Sequence, residues 1–504
     1  MNKKLVCIGI TSILLLTSIN ILAADVNSYK DEDNEIPFIL PDAGAPMAHC
    51  DRQMSDNIRL PAPTDNVKII WNRRAIANDK VGGWISGNGV IAACTFSDIR
   101  GDNLLVYDYY GNLIWRSKYL LNYNTAVSVP IVDVHGRIIA CDNSNIIMVD
   151  PFDYDDDGKI VEWKSALPKG GTPFSPTITE DGIIILATNA GPVYAYDSKD
   201  GTLLAYKYLK MDQNDPEEEG FFETLNTPSV KGERVYISTH YNNYTLIPDT
   251  GRLYAIDVDP YNPNEDMRLN IAWFYEFPAP SGCSPLLIDN TLYFDGNRSI
   301  TKDPQLFAVT DMGDYGKEEW RVYTPNVNDA SPARDTRGGF WTVDGIDGFL
   351  MHYSTEDGQV LEKIDVDGII QEPGTHKPCS VISIAGNETN PIIIVAALST
   401  DPFNPSSYVI AIDLANNNTL LWKVLISELA TISLESCFGQ FCILMNNGKP
   451  RILFVTLLGG VWAIGNKKTL SISMPKSKTI NTPILNFLKN MFPILQKLLQ
   501  QTRQ

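Results

Sequence analysis

The sequence predicts an all-β fold, an eight-bladed β-propeller of four-stranded antiparallel blades. Three observations predict it. A phrase of an aliphatic pair, Asp, a polar turn and a strand ending in Trp recurs along the chain. Each copy lies among short runs of strand-forming residues that Gly, Asn or Asp turns separate. The last copy lacks its closing strand, while a spare strand of the same type stands near the other end. Internal repeats of this kind are typical of propellers.

The recurring Asp and Trp residues have a structural explanation. Asp accepts backbone N–H bonds in the turn that follows it. Trp covers apolar area between blades, and its N–H finds a partner at the rim. We therefore interpret these residues as architectural and not catalytic. Their positions are Trp71, Asp108, Trp115, Trp163, Asp197, Asp257, Trp273, Trp320, Asp413 and Trp422.

Eight units can be counted by their third strands, which places the propeller in residues 66–465. The predicted third strands are Leu105–Asp108, Ile146–Asp150, Val193–Asp197, Leu253–Asp257, Leu306–Thr310, Leu350–Ser354, Val409–Asp413 and Val461–Gly465. The eighth unit has no fourth strand, whereas Val67–Trp71 ends in the Trp of the repeat. We expect this N-terminal strand to complete the last blade, because closure leaves no open sheet edge at the seam. A seven-bladed ring with a stray strand is the alternative.

Two segments precede the propeller. Residues 1–24 have the form of a secretory signal peptide, with Lys3 and Lys4 ahead of an apolar stretch that ends in Ala23 and Ala24. An uncleaved membrane anchor is the alternative. Residues 25–65 are polar, Pro-rich and irregular, and we interpret them as a leader that drapes over the domain. The signal predicts an exported protein that is either periplasmic or secreted. Peripheral contact with a membrane is compatible with both locations.

Residues 466–504 form a basic linker and a predicted amphipathic helical tail. Apolar residues recur there at helical spacing, with an interruption at Pro493. Three interpretations stay open. The tail packs on its own acidic propeller, lies on an anionic membrane surface through residues 482–500, or inserts into the groove of a partner.

The charge of the chain is unevenly placed. The net charge is −19, and seven basic residues lie in the tail and two in the signal, so residues 25–465 carry −28. An acidic body argues against nucleic acid as a partner.

Seven cysteines follow Cys7, an odd number, and export permits disulfides. Cys94 and Cys141 occupy matching places in adjacent units, and Cys437 and Cys442 are spaced for a local hairpin. These are the two candidate disulfides. Buried free thiols are the alternative for both pairs.

The motif Ala195-Tyr196-Asp197 followed by Gly201 resembles the Trp-docking repeat of pyrroloquinoline-quinone-like (PQQ-like) propellers, although Tyr206 stands in for Trp. The resemblance covers roughly residues 67–465. It implies an eight-bladed ring that is either a quinone-dependent dehydrogenase, with PQQ and calcium clamped near the axis, or a non-enzymatic scaffold. Many enzymes of the family carry a vicinal Cys pair, and no two cysteines here are adjacent. We therefore regard PQQ as disfavoured.

One local motif in the chain has the form of a metal-binding site. The chain has no GxSxG, HExxH, Walker or CxxC motif, and its five histidines are far apart in sequence. We predict no catalytic residue and no cofactor. Asp153, Asp155 and Asp157 ahead of Gly158 have the spacing that opens a calcium loop, although Lys164 stands where a twelfth-position Glu is expected. The motif predicts a structural calcium site, with a solvated acidic turn as the alternative.

Taken together, these observations predict an exported, non-enzymatic propeller that serves as a binding platform for protein partners of unknown identity. Two alternatives stay open. One is a PQQ- and calcium-dependent dehydrogenase. The other is binding of a small ligand or carbohydrate in the axial funnel of the ring.

Overall fold

In the residues that the computed structural model describes, 34 β-strands form eight antiparallel sheets, which we number as blades 1 to 8 along the chain. The described residues are 37–74, 85–87, 89–96, 103–122, 128–154, 158–214, 220–224, 226–242, 250–278, 282–296, 305–324, 330–401, 403–427, 437, 439–456 and 460–466. The predicted tail helix and the signal segment lie outside them.

The first half of the chain supplies β1 and blades 1 to 4. β1 is Val67–Arg74; blade 1 contains β2 (Ile85–Ser86), β3 (Ile91–Thr95), β4 (Leu104–Asp108) and β5 (Leu113–Arg116); blade 2 contains β6 (Ile131–Val132), β7 (Ile138–Cys141), β8 (Asn145–Val149) and β9 (Val161–Ala166); blade 3 contains β10 (Thr177–Ile178), β11 (Ile183–Ala187), β12 (Pro192–Asp197) and β13 (Leu203–Tyr208); blade 4 contains β14 (Phe221–Glu223), β15 (Ser229–Lys231), β16 (Arg234–Asn242), β17 (Gly251–Val258) and β18 (Leu269–Phe277).

The second half supplies blades 5 to 8. Blade 5 contains β19 (Leu286–Ile288), β20 (Thr291–Gly296), β21 (Gln305–Asp311) and β22 (Gly316–Tyr323); blade 6 contains β23 (Ala333–Arg334), β24 (Phe340–Val343), β25 (Phe349–Tyr353) and β26 (Val360–Asp365); blade 7 contains β27 (His376–Pro378), β28 (Ser383–Ala385), β29 (Ile392–Ser399), β30 (Ser407–Asp413) and β31 (Thr419–Ser427); blade 8 contains β32 (Cys442–Asn446), β33 (Lys449–Val455) and β34 (Gly460–Asn466). A 3-10 turn spans Glu265–Met267, and one short helix, α1, spans Val366–Ile370.

The ring closes as the sequence predicts. β1 pairs antiparallel with β34, from Val67 opposite Asn466 to Arg74 opposite Gly460, and so becomes the fourth strand of blade 8. The eight-bladed propeller with N-terminal closure is therefore confirmed, and the seven-bladed alternative is wrong. In blades 4 and 7 the first strand is split in two, because β14 and β15 both pair with β16, and β27 and β28 both pair with β29.

The first strand of each blade lies at the axis and the fourth at the rim. Neighbouring first strands touch around the ring, as β15 touches β19 and β19 touches β23. Fourth strands are the most exposed of each blade, and β22 alternates between half-buried and exposed residues along its whole length. Because consecutive strands are antiparallel, the turns between strands one and two and between strands three and four share one face of the ring. We call it the leader face, since residues 37–62 lie against it, and the other the opposite face.

Blades are held together by apolar side chains of their second and third strands. Val106 and Ala93 of blade 1 and Ile138 and Ile147 of blade 2 are completely buried in one such cluster. Burying a side chain the size of Val or Ile contributes roughly 1.5–3 kcal/mol. In the described part of the chain, no helix is long and apolar enough to cross a membrane.

Candidate functional site

The wall of the axial channel carries a belt of hydroxyl groups. Ser175, Thr227, Ser284 and Ser331 each stand directly before a Pro at the start of a first strand. Proline favours an extended conformation in the residue before it. Thr227 N donates to Ser284 Oγ at 3.0 Å and Ser284 N donates to Ser331 Oγ at 2.9 Å, while Val129 N donates to Ser175 Oγ at 3.1 Å. These bonds join neighbouring blades around the axis.

The described part of the leader, residues 37–65, follows this wall around the inside of the ring. Its carbonyl groups accept backbone hydrogen bonds from successive blades: Ala45 from Gly87 at 2.9 Å, Pro46 from Val132 at 2.7 Å, Arg52 from Val230 at 2.7 Å, Gln53 from Leu287 at 2.9 Å, Ser55 from Arg334 at 2.9 Å and Asp56 from Ile384 at 2.8 Å. These donors belong to blades 1, 2, 4, 5, 6 and 7.

Side chains complete the circuit at the two remaining blades. The guanidinium of Arg52 donates to the carbonyl oxygens of Ile178 at 2.7 Å and Thr179 at 3.2 Å, in blade 3. Gln440, at the start of blade 8, donates through Nε2 to the carbonyl of Met47 at 3.0 Å. Residues 45–56 therefore contact all eight blades. This one stretch of chain thus accepts hydrogen bonds from inner-strand N–H groups that would otherwise lack a partner.

The leader also fills the channel with apolar side chains. Ala45, Met47, Met54 and Ile58 are completely buried. A propeller of this size otherwise leaves a cavity on its axis, and close packing removes such space. The axial position that a small ligand would take is occupied by the chain itself.

A hydrogen bond joins His49 to the buried carboxyl of Asp56 within the leader. His49 Nδ1 is 2.8 Å from Asp56 Oδ2, and Asp56 is completely buried. Burial raises the pKa of Asp56 to about 6, although the neighbouring His49 lowers it. Asp56 Oδ1 has no hydrogen-bond partner among the described residues. Among the described residues the side chain of Asp56 has one hydrogen-bond partner, so its ionised form is costly to bury.

Ser331 extends the pair into a line of three groups. Its Oγ lies 3.5 Å from His49 Nε2, on the side of the imidazole away from Asp56. Serine, histidine and aspartate in this order form the arrangement of a nucleophile, a base and an orienting acid. Here, however, the serine hydroxyl already accepts the N–H of Ser284 and is buried beneath the leader. We interpret the line as an anchor for the leader, because the hydroxyl is buried and bonded to the neighbouring blade.

The leader backbone is strained where it turns. His49, Cys50, Met54, Asp56 and Arg59 all have positive φ angles, between 50° and 72°. Residues other than Gly seldom adopt this conformation, and it persists only where surrounding contacts enforce it. The hydrogen bonds to the eight blades supply that enforcement.

The repeated Trp residues lie between blades. The indole N–H donates across the interface to the following element: Trp71 to Tyr109 O at 3.3 Å, Trp163 to Ser198 O at 3.1 Å, Trp273 to Asp311 Oδ1 at 2.9 Å, Trp320 to Thr355 O at 3.1 Å and Trp422 to Pro63 O at 2.7 Å. Gly111, Gly201, Gly316 and Gly358 lie directly under four of these indoles. Trp115 is half-buried against the cluster shared by blades 1 and 2. Tyr206, where the motif expects Trp, is 45% exposed.

The repeated Asp residues lie in turns at the leader face. Asp108 Oδ1 accepts from Tyr110 N and Asn112 N, each at 2.8 Å. Asp197 accepts from Lys199 N at 2.9 Å, and Asp413 accepts from Ala415 N at 3.0 Å. Asp257 differs, since it receives two hydrogen bonds from Arg234, at 2.6 and 3.0 Å.

The calcium motif is only partly described. Asp153 has a φ of 51° and its Oδ1 accepts from Gly158 N at 2.8 Å, so it shapes the turn. Asp155 and Asp157 lie outside the described residues. Among the described residues no group of three or more His, Cys, Asp or Glu side chains is placed to hold a metal ion. The calcium site stays a prediction.

The cysteines are buried or half-buried. All seven from Cys50 to Cys442 carry free thiols in the structure, so neither Cys94–Cys141 nor Cys437–Cys442 is bridged in it. Burial raises the pKa of Cys141, Cys437 and Cys442 to about 12. A thiol in this state is a poor nucleophile and a poor metal ligand at neutral pH.

Sequence reasoning missed the residues that organise the axis: Arg52, His49, Asp56 and Ser331. A signal for the wall was present, since Ser/Thr-Pro pairs at 175, 227, 284 and 331 recur in four consecutive units. No comparable signal marks the leader, whose partners are up to 393 residues away.

Comparisons with known proteins agree with the fold. No protein-family model and no curated protein matches the chain. A europium-containing methanol dehydrogenase is similar with a TM-score of 0.57 and 12% identity, over 84% of this chain and 98% of that one. Sqt1 from Saccharomyces cerevisiae gives 0.51 and 11%, over 79% and 98%. BamB from Moraxella catarrhalis gives 0.49 and 12%, over 79% and 99%. The resemblance to PQQ-like propellers is confirmed at the level of the fold, which by itself does not fix an activity.

Proposed function

We propose that this PQQ-like eight-bladed propeller is a binding platform for a protein partner, which it engages on its outer surface and not on its axis. The observation that carries the proposal is the leader. Residues 45–56 hydrogen-bond to all eight blades and fill the channel with buried side chains. A flat cofactor clamped at this level of the axis would have to displace them. The outer faces are then the surfaces left for recognition.

An apolar patch on the leader face supports the same proposal. Ile39, Val90, Val134 and Phe152 are between 44% and 55% exposed. Val134 N donates to Ile39 O at 2.9 Å, and Gly136, in the turn that carries Val134, lies against Phe152 and against Ile91, the residue that follows Val90. We call these four residues the blade 1–2 patch. Exposed apolar residues that cluster in this way mark contact sites for other proteins.

Aromatic groups border the patch. The ring of Tyr154 stacks on His135 with centroids 4.1 Å apart, two residues beyond Phe152. Aromatic side chains are enriched at the centres of protein interfaces because they bury much area with few rotatable bonds. Tyr154 is half-buried and so is partly ordered before any partner arrives.

Export is part of the proposal, and its support is in the sequence alone. The first 24 residues have the charge and apolar pattern of a secretory signal, which places the platform in the periplasm or outside the cell. The contact of residues 482–500 with a membrane surface or a partner stays a prediction, since these residues lie outside the described part of the chain.

Site-specific photocrosslinking in the native cell tests the platform. A photoreactive amino acid replaces Phe152, in the blade 1–2 patch, or Tyr119, which is 77% exposed on the opposite face. We expect a discrete protein adduct from position 152 and none of the same size from position 119. Adding Val134→Asp to the position-152 protein is expected to remove the adduct, since a charge in the patch opposes its burial.

Two outcomes count against the proposal. Identical adducts from both positions would mean that contact is unspecific. An adduct at position 152 that survives Val134→Asp would mean that the patch does not make the contact.

A further inference from the structure

A cavity of 550 Å³ opens on the leader face, where the leader leaves the channel. Ser55, Asn57 and Arg59 of the leader form one side of it, and Arg334 and Thr336 of blade 6 and Glu388 of blade 7 form the other. Its volume lies within the range of small-molecule sites, roughly 300–1,000 Å³. The wall is fixed on both sides, because Arg334 N donates to Ser55 O at 2.9 Å and Gly386 N donates to Leu60 O at 2.8 Å.

The cavity holds a cation without a counterion. The side chain of Arg334 is exposed and forms no hydrogen bond or ion pair with any described residue. Two other arginines of the ring are paired: Arg337 with Asp335 at 2.8 Å and Arg137 with Asp133 at 2.7 Å. Guanidinium groups bind carboxylates in a planar, two-bonded geometry, so an unpaired one facing a cavity is a ready anchor for a carboxylate.

Arg59 adds a second donor on the leader side. Its Nη2 is 3.0 Å from Asp51 Oδ2, which holds the side chain in place, and it is still 52% exposed. Thr336 supplies a hydroxyl whose oxygen is buried without a hydrogen-bond partner among the described residues. A buried polar atom left without a partner is costly, and a ligand atom in the cavity would satisfy it.

The cavity also holds an anion without a counterion. Glu388 is exposed at the tip of a turn in blade 7 and pairs with no described residue, including Arg334. The turn is rigid, since Asn387 Oδ1 accepts from Thr389 N at 3.0 Å, Thr389 Oγ1 at 2.7 Å and Asn390 N at 3.1 Å. A simple anion such as phosphate would be attracted by Arg334 and repelled by Glu388.

We propose that this cavity binds a zwitterionic ligand of the class of free amino acids and short peptides. The carboxylate lies at Arg334 with Arg59 beside it, and the ammonium lies at Glu388. Such a ligand neutralises both unpaired charges at once, which neither an anion nor a cation does. This binding is separate from the proposed protein platform, because the blade 1–2 patch and the cavity share no residue.

Calorimetric titration of the full-length chain with the dipeptide Ala-Ala tests the proposal. Two blocked probes accompany it: N-acetyl-Ala-Ala, which lacks the ammonium, and Ala-Ala amide, which lacks the carboxylate. We expect saturable binding of Ala-Ala and at least tenfold weaker binding of each blocked form. No heat from Ala-Ala at millimolar concentration overturns the proposal, and so does phosphate binding tighter than that of Ala-Ala.

Charge-neutralising variants assign the two ends. Arg334→Gln is expected to weaken Ala-Ala at least tenfold and to lose the discrimination against the amide, while it keeps the discrimination against the acetylated form. Glu388→Gln is expected to do the reverse. Lys68→Gln and Glu356→Gln, exposed charges elsewhere on the ring, serve as matched controls and should bind as the unaltered protein does. An equal loss of both discriminations in either cavity variant contradicts the assigned ends.

Discussion

At the scale of single residues, the ionisation of a side chain in the leader depends on the groups that pack around it, and the local sequence does not reveal it. Asp56 is buried with one partner, His49, and it carries a left-handed backbone at φ 50°. Asn is among the few residues that tolerate this conformation. The ionisation of Asp56 can therefore be removed without disturbing the turn, which makes the cost of the buried charge measurable.

We expect the pH dependence of stability to reveal Asp56. Its folded pKa is raised to about 6, so the folded protein holds a proton that the unfolded chain has already lost. The stabilising effect of this proton is complete below about pH 4 and is lost as the pH rises to about 6. Urea unfolding between pH 4 and pH 7 measures it. The free energy of unfolding should fall with pH relative to that of Asp56→Asn.

The control for that experiment is Asp181→Asn, which removes an exposed carboxylate. It accounts for the general effect of one lost negative charge. A difference between the unaltered protein and Asp56→Asn that does not change with pH would show that the carboxylate is not titrating in this range.

Gly201 offers a second test at this scale. It has a φ of 72° and lies under the indole of Trp163, whereas Gly232 has a φ of 58° with open space where a Cβ would stand. Gly201→Ala and Gly232→Ala both place a Cβ on a residue with a left-handed backbone, which destabilises the folded protein by roughly 1–2 kcal/mol. We expect Gly201→Ala to cost a further 1–3 kcal/mol or so, from overpacking. Equal losses in urea unfolding would mean that the indole moves aside freely.

At the scale of elements, the strands were predictable and the leader was not. Third strands such as β12 and β30 combine continuous apolar runs with a closing Asp, and that pattern is local. The closure by β1 was predictable because Trp71 repeats the ending of the other fourth strands. The course of the leader has no period to detect. It is set by hydrogen bonds to strands distant in sequence, as between His49 and Ser331, which are 282 residues apart.

The seam between β1 and β34 gives a prediction about this element. β1 is the fourth strand of blade 8, and within its sheet it pairs with β34. Without it, β34 presents an open edge, which a peptide strand can cover. We expect a chain in which residues 67–74 are replaced by a Gly-Ser linker of the same length, with the leader kept, to show fast hydrogen exchange at β34, and a synthetic peptide of residues 61–76 to restore slow exchange.

The same peptide with Trp71→Ala is the matched comparison. Trp71 is buried, and its indole reaches the carbonyl of Tyr109 in blade 1. Truncation of a buried aromatic costs roughly 3–5 kcal/mol, so the altered peptide should bind far more weakly. Equal protection by both peptides would mean that backbone pairing alone holds the seam.

At the scale of the whole molecule, the ring is filled at its centre and open at its faces. A quinone cofactor needs the axis, and residues 45–56 occupy it. We expect calorimetric titration with PQQ, with and without calcium, to show no saturable binding up to millimolar concentration. A PQQ-dependent dehydrogenase stripped of its cofactor serves as the positive control. Saturable binding would make the axis a candidate active site and contradict the platform proposal.

The backbone hydrogen bonds between the leader and the blades begin at Val134 and end at Gly386, both in turns of the leader face, so the leader enters and leaves the ring through that face. Both ends of its described course lie at the same face, so the leader forms a loop that enters the ring from that side. Such a loop can enter the ring after the blades have formed, and it can leave without breaking the strand pairing within any blade. Assembly of the ring and insertion of the leader are thus separable steps in the folding of this chain.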